Sequence, residues 1–136
     1  MRRCAGSIAS TVAHDSHHTI VVGTCAEHMA LAANRLAEVG GGVSVWKDGR
    51  ELALIELPIA GLMSDAPAEE VAAKAAAMVQ AMADCGCHLN NAYMQHSLLA
   101  LVVIPDLRIS DLGLVDVRKF ELVPVVQEGG QEDADA

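Results

Sequence analysis

The hydrophobic pattern begins with two short apolar runs on either side of a polar connection. Residues 8–12 and 19–23 carry the apolar runs, and the segment between them is rich in histidine. Two short runs of this kind around a polar connection predict a hairpin or a strand–loop–strand unit. Because binding and chemistry concentrate on loops that strands hold in place, this connection is the first candidate site.

The next pattern predicts a helix that ends near residue 39. Thr24 and Glu27 have the spacing of a capping box, in which each side chain bonds the backbone amide of the other residue. Apolar positions then recur at helical spacing. We expect the buried face to contain Met29, Ala33, Leu36 and Val39 or Gly40. The glycines at 40–42 predict the helix end, since a left-handed C-cap favours glycine.

A second hairpin and a second helix follow. Residues 43–46 alternate, Asp48-Gly49 is the preferred pair for a type I′ turn, and residues 51–57 return. Residues 58–65 form a loop that is apolar for a surface connection, so we expect it to pack against another segment. The helix begins near Pro67, because proline is tolerated in a first turn. Its core stripe is expected to be Val71, Ala75, Met78, Met82 and Cys85.

The last third of the chain predicts further strands. Residues 98–104 are continuously apolar before Pro105, which indicates a strand buried on both faces. Residues 106–109 extend it, residues 111–113 turn, and residues 120–123 form an edge strand that ends at a proline. The order β-β-α-β-β-α-β-β predicts an α+β fold, a mixed β-sheet built from hairpins with two main helices.

Size and charge narrow the class of protein. The 136 residues suffice for one domain, and a net charge of −9 disfavours nucleic acid as a partner. We expect this domain to span residues 1–126 and residues 127–136 to form an acidic disordered tail. No apolar segment is long enough to span a membrane, and the basic start lacks a following apolar signal region. These features predict a cytoplasmic location.

The cysteine pattern favours structural thiols. In the cytoplasm Cys4, Cys25, Cys85 and Cys87 are expected to be reduced. The two sulfurs of Cys85-Gly86-Cys87 lie beside His88, so a metal site is conceivable. Two-cysteine clusters without a second matching pair are, however, more often structural.

Candidate chemistry is concentrated in the connection between the first two strands, His14-Asp15-Ser16-His17-His18. On a loop, His14 and His17 could converge on one ion or one substrate edge, with Asp15 orienting either ring. A His–Asp pair could instead serve as a general acid or base, or hold a ligand by hydrogen bonds. Ser16 lacks the Gly-x-Ser-x-Gly elbow of a nucleophile. The plain alternative is a solvated, histidine-rich turn.

Four motifs in order resemble the C-terminal domain of bacterial adenine deaminases. They are STVAHDSH at 10–17; VGT at 22–24 with MALAANRL at 29–36; PIAGLMSD at 58–65 with PAEEVA at 67–72; and GLVDV at 113–117 with KFE at 119–121. The chain departs from the family pattern at three positions. His18 stands where the pattern has asparagine, and Val102 stands where a proline is expected. His96 replaces an apolar residue.

The resemblance implies membership of the amidohydrolase superfamily. In the full enzyme a (β/α)8 barrel holds two divalent metals, manganese or iron, and adenine is converted with water to hypoxanthine and ammonia. The barrel and its His-x-His ligands are missing from this sequence. The chain therefore resembles the accessory part of that enzyme, is not expected to ligand the metals fully, and should be inactive alone.

The polar cluster on the first hairpin, taken together with this resemblance, leads to a hypothesis about particular residues. The domain is expected to pack beside the barrel, in the same or a separate chain, and to present a loop to the active-site mouth where adenine binds. The candidate catalytic residues are His14, Asp15 and His17, and no catalytic or metal ligand is certain. The candidate substrate-binding residues are Ser16, His18, Met63, Ser64 and Asp65.

Two other classes of function stay open at this point, and a homo-oligomer is a further candidate assembly. The chain could be a stand-alone binding or oligomerisation module that acts in trans with a separate barrel. It could instead be a small metal-binding protein that uses the cluster of His14, His17 and His18. Isolated histidines such as His28 and His96 are expected to be structural.

Overall fold

A computed structural model describes residues 6–126. The elements are β1 (Ser7–Ser10), β2 (Ile20–Gly23), α1 (Ala26–Val39), β3 (Gly42–Lys47), β4 (Arg50–Glu56), α2 (Ala68–Asp84), α3 (Ala92–Ser97), a 3-10 turn (Leu98–Ala100), β5 (Leu107–Ser110), β6 (Gly113–Asp116) and β7 (Glu121–Val123). The predicted α+β class is confirmed. The predictions for Cys4 and for the tail at 127–136 lie outside the described residues.

The first sheet contains both predicted hairpins. Its strand order is β2-β1-β3-β4, and every neighbouring pair is antiparallel, where a mixed sheet was expected. Asp48 and Gly49 have φ values of 50° and 74°, the positive values that a type I′ turn requires. The local turn chemistry therefore sets the register of β3 against β4.

Helices cover both faces of the first sheet. Its side chains alternate, because successive residues of a strand point to opposite faces. One face packs on α2 through Ile8, Val43, Val45, Ile55, Met78 and Met82. The opposite face packs on α1 through Ala9, Val21, Trp46, Leu54, Ala32 and Leu36. The result is a three-layer unit in which the predicted stripe residues Met78, Met82 and Leu36 are buried.

The second sheet is smaller and less covered. Its order is β5-β6-β7, again antiparallel, and β5 contacts the 3-10 turn. Every residue of the three strands is exposed or only half-buried. This sheet therefore stands apart from the core of the first.

Two predictions for the last third of the chain are wrong. Residues 98–104 do not form a buried strand; they begin as the 3-10 turn and continue through turns, after the unpredicted helix α3. A short apolar run does not by itself distinguish a strand from a buried turn. Within this run only Ala100 is buried, where it packs under the β1–β2 connection with Ala13 and Ile20, whereas Leu99 and Val103 are exposed. Strand β6 was also missed.

The predicted capping box of α1 does not form. Cys25 is the N-cap residue and makes no side-chain capping hydrogen bond, and the Thr24 hydroxyl lies 3.4 Å from both the backbone N and O of Gly6. The helix ends as predicted, with Gly40 in the left-handed region at φ 84°.

The prediction that the cysteines are reduced thiols is confirmed for two of them and wrong for a third. Cys85 and Cys87 are free thiols, and burial raises the pKa of Cys85. Cys25 is disulfide-bonded, so the prediction for it is wrong. The prediction rested on the redox compartment, whereas a disulfide also depends on spatial proximity, which local sequence does not show.

Candidate functional site

The connection between β1 and β2 contains an exposed polar loop at residues 13–18, which we call the His loop. The loop begins at one buried residue. Ala13 has no exposed surface and packs against Ile20 and Ala100. The side chains that follow it, from His14 to His17, face solvent. The apolar anchor holds the base of the loop while leaving its polar groups available to a ligand.

Backbone hydrogen bonds fix the loop further. The N–H of His14 donates to the carbonyl of Ser97 at 3.0 Å, and the N–H of His17 donates to the carbonyl of Ala13 at 2.7 Å. His17 has a φ of 54°, a left-handed conformation that closes the turn. Helix α3, which the sequence did not reveal, is thus the support of the candidate site.

The side chains of the His loop form two neighbouring groups. His14 Nδ1 lies 3.4 Å from the Asp15 carboxylate, and the rings of His14 and His17 have centroids 5.9 Å apart. Ser16 Oγ and His18 Nδ1 are hydrogen-bonded at 2.7 Å. The structure therefore brings the three candidate catalytic residues together and pairs the two neighbouring substrate-binding candidates.

This geometry allows hydrogen-bond and proton-transfer chemistry. When Nδ1 of an imidazole faces a carboxylate, its N–H is directed there and Nε2 is left as an acceptor. The side chain of His14 is about half exposed, so the ring is accessible to a ligand. A neutral histidine held in this way can accept a hydrogen bond or a proton from a bound molecule.

The described part of the chain does not provide a complete site for manganese or iron. Within residues 6–126 no group of three or more histidine, cysteine, aspartate or glutamate side chains is placed to hold a metal ion. This applies to the His loop and to the Cys85-Gly86-Cys87 turn alike. Ions such as manganese or iron need several converging donors, and residues 6–126 do not bring such a set together.

The apolar loop at residues 58–65 is tied to the start of the His loop connection. The Thr11 hydroxyl donates to the carbonyl of Gly61 at 2.6 Å and accepts the N–H of Gly42 at 2.8 Å. A Cβ added to Gly61 would lie 3.1 Å from the Thr11 hydroxyl, and one added to Gly41 would lie 2.4 Å from Gly61 Cα. Glycines at these positions therefore let three backbone segments meet at Thr11.

The substrate-binding candidates of that loop stand apart from the His loop groups. Met63 pairs with Ile59 in a short bridge and is exposed, and Ser64 Oγ accepts the N–H of Ala66 at 3.2 Å. Asp65 is exposed just before α2. Among the described residues, these three do not line the groove that contains Asp15 and Ser16.

A groove that sequence reasoning did not predict adjoins the His loop. Its volume is about 560 Å³, and Asp15 and Ser16 lie at one side of it. The other walls are largely apolar: Ala100, Leu101, Val102 and Val103 from the segment after α3, and Leu112, Val115, Phe120 and Leu122 from the second sheet. The groove depends on contacts between distant segments, which hydrophobic periodicity alone does not show.

The two isolated histidines lie within the fold, but the expectation that both are satisfied structural residues is wrong for His96, whose two ring nitrogens are buried with no hydrogen-bond partner among the described residues. His28 Nε2 accepts the N–H of Gly49 at 2.9 Å and so supports the β3–β4 turn. His96 is buried in α3, and burial lowers its pKa to about 4. His96 is therefore neutral at pH 7 in the helix that supports the His loop.

No helix within residues 6–126 is long and apolar enough to cross a membrane.

Comparison with known proteins places this geometry in a family context. A family model described as "Adenine deaminase C-terminal domain" matches residues 1–121. The chain is 78% identical over 121 residues to an adenine deaminase of Ruegeria pomeroyi, covering 89% of this chain and 20% of that protein. It is 52% identical over 122 residues to an adenine deaminase of Moorella thermoacetica, covering 90% and 20%. The chain thus spans about a fifth of the length of these relatives.

Proposed function

The chain belongs to the family of adenine deaminase C-terminal domains, and on that premise we propose that it serves an enzyme that hydrolyses adenine to hypoxanthine and ammonia. The observation that carries the proposal is the 78% identity to the Ruegeria pomeroyi adenine deaminase over 121 residues. The catalytic barrel and its manganese or iron belong to the remaining four fifths of such an enzyme. This chain contributes binding and positioning.

Within that enzyme we assign the His loop to the mouth of the active site. Adenine presents an amino group as donor and ring nitrogens as acceptors, and histidine side chains can pair with either. The half-exposed His14, positioned beside Asp15, supplies such a partner, and His17 lies close enough to act on the same ligand. The hydrogen bond from Thr11, two residues before the His loop, to Gly61 supports the proposal that the loop of Met63, Ser64 and Asp65 also contacts substrate.

The test uses a full-length deaminase in which this chain replaces the matching segment of the Ruegeria pomeroyi protein. His14→Ala and His17→Ala should each lower kcat/KM for adenine by about tenfold or more, since a lost substrate hydrogen bond is worth about that factor. The matched control is His88→Ala, which removes an exposed loop histidine outside the His loop. Wild-type kinetics in both His loop variants would refute the role of this loop.

A second test asks whether the chain catalyses anything alone. We expect no conversion of adenine to hypoxanthine by the isolated chain, with or without added manganese, because residues 6–126 do not assemble a metal site. Chromatography of the reaction mixture measures the product. Hypoxanthine formation that scales with chain concentration would overturn the proposal that catalysis requires the remaining four fifths of the enzyme.

A further inference from the structure

The groove beside the His loop exposes an unusual amount of apolar surface. Leu112, Phe120 and Leu122 on one wall are 77%, 73% and 56% exposed, and Val103 on the opposite wall is 64% exposed. Monomeric soluble proteins rarely leave contiguous apolar patches of this kind uncovered unless the patch binds something.

The second sheet is also incomplete as a structural unit. A three-stranded sheet gains stability when a hydrophobic face packs against another layer. None of the residues in β5, β6 or β7 is buried, and the sheet adjoins the rest of the domain through the 3-10 turn before β5. The sheet therefore lacks, within the described residues, the layer that would cover it.

The pairing register shows which face lines the groove. Arg108, Val115 and Leu122 pair across the sheet and share one face, and two of the three line the groove. Ile109, Leu114 and Val123 share the opposite face and do not line it. The two faces can therefore be tested separately by changing one strand residue on each.

The position of the groove indicates what covers it. Asp15 and Ser16 of the His loop form part of its wall, so a body seated in the groove would be held directly beside the candidate site. The relatives carry this segment as a fifth of their length, which leaves four fifths of the same polypeptide to be packed against it.

Resting on the proposed function, we propose that the remaining part of the deaminase polypeptide docks in this groove, against the Leu122 face of the second sheet. The acidic residues Asp15 and Asp111, which line the groove, fit an apolar docking segment flanked by basic side chains. Docking there covers the sheet and fixes the His loop against the catalytic part in one step.

The test is site-specific protection of a thiol. Leu122→Cys and, as the matched control on the opposite face, Ile109→Cys are each made in the isolated chain and in the full-length deaminase that carries it. Both native residues are about half exposed, at 56% and 48%. A maleimide labels each protein, and peptide-resolved mass spectrometry separates the introduced thiol from Cys85 and Cys87.

We expect labelling at position 122 to be at least about tenfold slower in the full-length protein than in the isolated chain, and labelling at position 109 to be unchanged. Equal labelling rates at position 122 in the two proteins would overturn the proposal. Equal protection of both positions would overturn the assignment to the groove face. Position 122 could instead become protected in the isolated chain as the chain concentration rises, with no greater protection in the full-length protein. That result would overturn the proposal and show that a second copy of the chain covers this face.

This readout is independent of catalysis. If His14→Ala and His17→Ala leave turnover intact while position 122 is protected, the docking surface stands and the role of the His loop fails. If those variants lose activity while position 122 stays fully reactive, the role of the His loop stands and the docking surface fails. Leu122→Asp, compared with Ile109→Asp, adds a second measurement: the groove variant alone should expose the domain to limited proteolysis in the full-length protein.

Discussion

The two sheets of this domain differ in how much of their structure the described chain supplies. The first sheet is enclosed, with α2 on one face and α1 on the other, and its centre includes residues with no exposed surface, such as Val45 and Met78. The second sheet has half-buried or exposed residues at every strand position. The first sheet is a self-sufficient core, and the second resembles one side of an interface.

The difference has a functional meaning because the His loop lies between the two regions. Its base is anchored in the first region through β1 and β2, while Asp15 and Ser16 reach the groove of the second. The first sheet thus holds the loop, and the exposed surface beside it is where we propose that the rest of a deaminase docks.

The largest expected effect compares two glycines with similar backbones, one in each sheet. Gly42 and Gly113 have φ values of 143° and 135°, which side chains rarely adopt. A Cβ on Gly42 would lie 2.0 Å from the carbonyl oxygen of Ile55, whereas one on Gly113 would meet only Leu122 Cδ2 at 3.8 Å. Chemical denaturation should show that Gly42→Ala lowers the unfolding free energy by more than about 4 kcal/mol and Gly113→Ala by about 1 to 2. Equal losses of unfolding free energy in the two variants would contradict the claim that the first sheet is more tightly packed than the second.

The next comparison removes a large side chain from each region. Met78 is fully buried against the first sheet, so Met78→Ala should destabilise the isolated chain by about 3 kcal/mol through lost burial and a cavity. Leu122 is 56% exposed, so Leu122→Ala should change stability by less than about 0.5 kcal/mol. Urea titration followed by circular dichroism measures both. A Leu122 effect as large as that of Met78 would show that the second sheet has a core of its own.

A third prediction concerns the segment that joins the two regions. Burial lowers the pKa of His96 from 6.5 to about 4, so the folded chain binds fewer protons than the unfolded chain between these values. Stability should therefore fall as the pH falls, by about 2 kcal/mol between pH 7.5 and pH 5 from this residue. His96→Leu should abolish that part of the pH dependence when thermal unfolding is followed across the range. An unchanged acid profile in this variant would contradict the assignment.

The smallest expected effect lies on the surface of the first region. Lys74 of α2 bonds Glu56 of β4 at 2.8 Å and lowers the pKa of that carboxyl, and it also pairs with Glu70 at 2.9 Å. These groups are partly exposed, so Lys74→Gln should cost less than about 1 kcal/mol, and the loss should shrink at high salt. A loss comparable with Met78→Ala would mean that ion pairs, and not apolar packing, hold α2 on the sheet.

The parts of the fold that sequence predicted are those with a local signal. Helical periodicity identified α1 and α2, and Asp48-Gly49 identified the second hairpin, because each depends on residues close in sequence. The histidines also marked the position of the candidate loop. Helix α3 was missed because its six residues are too short to show a period, and the groove was missed because Asp15 and Leu122 are brought together only by the fold.

The same limit applies to the capping box and to the junction at Thr11. Thr24 satisfies the local capping pattern, yet its hydroxyl lies beside the backbone of Gly6, which the first strand brings within reach. No local pattern predicts the bonds of Thr11, which join it to Gly42 and Gly61 across 31 and 50 residues of sequence. In both cases tertiary contacts, and not local sequence, determine the hydrogen-bond partners of the threonine hydroxyl.

The most direct test of the contrast between the sheets is amide hydrogen exchange, measured on the isolated chain and on the full-length deaminase that contains it. We expect the strands of the first sheet to be strongly protected in both proteins, and β5, β6 and β7 to exchange rapidly in the isolated chain and to become protected only in the full-length protein. Second-sheet strands that exchange equally in the two proteins would contradict the claim that the rest of the enzyme completes this domain.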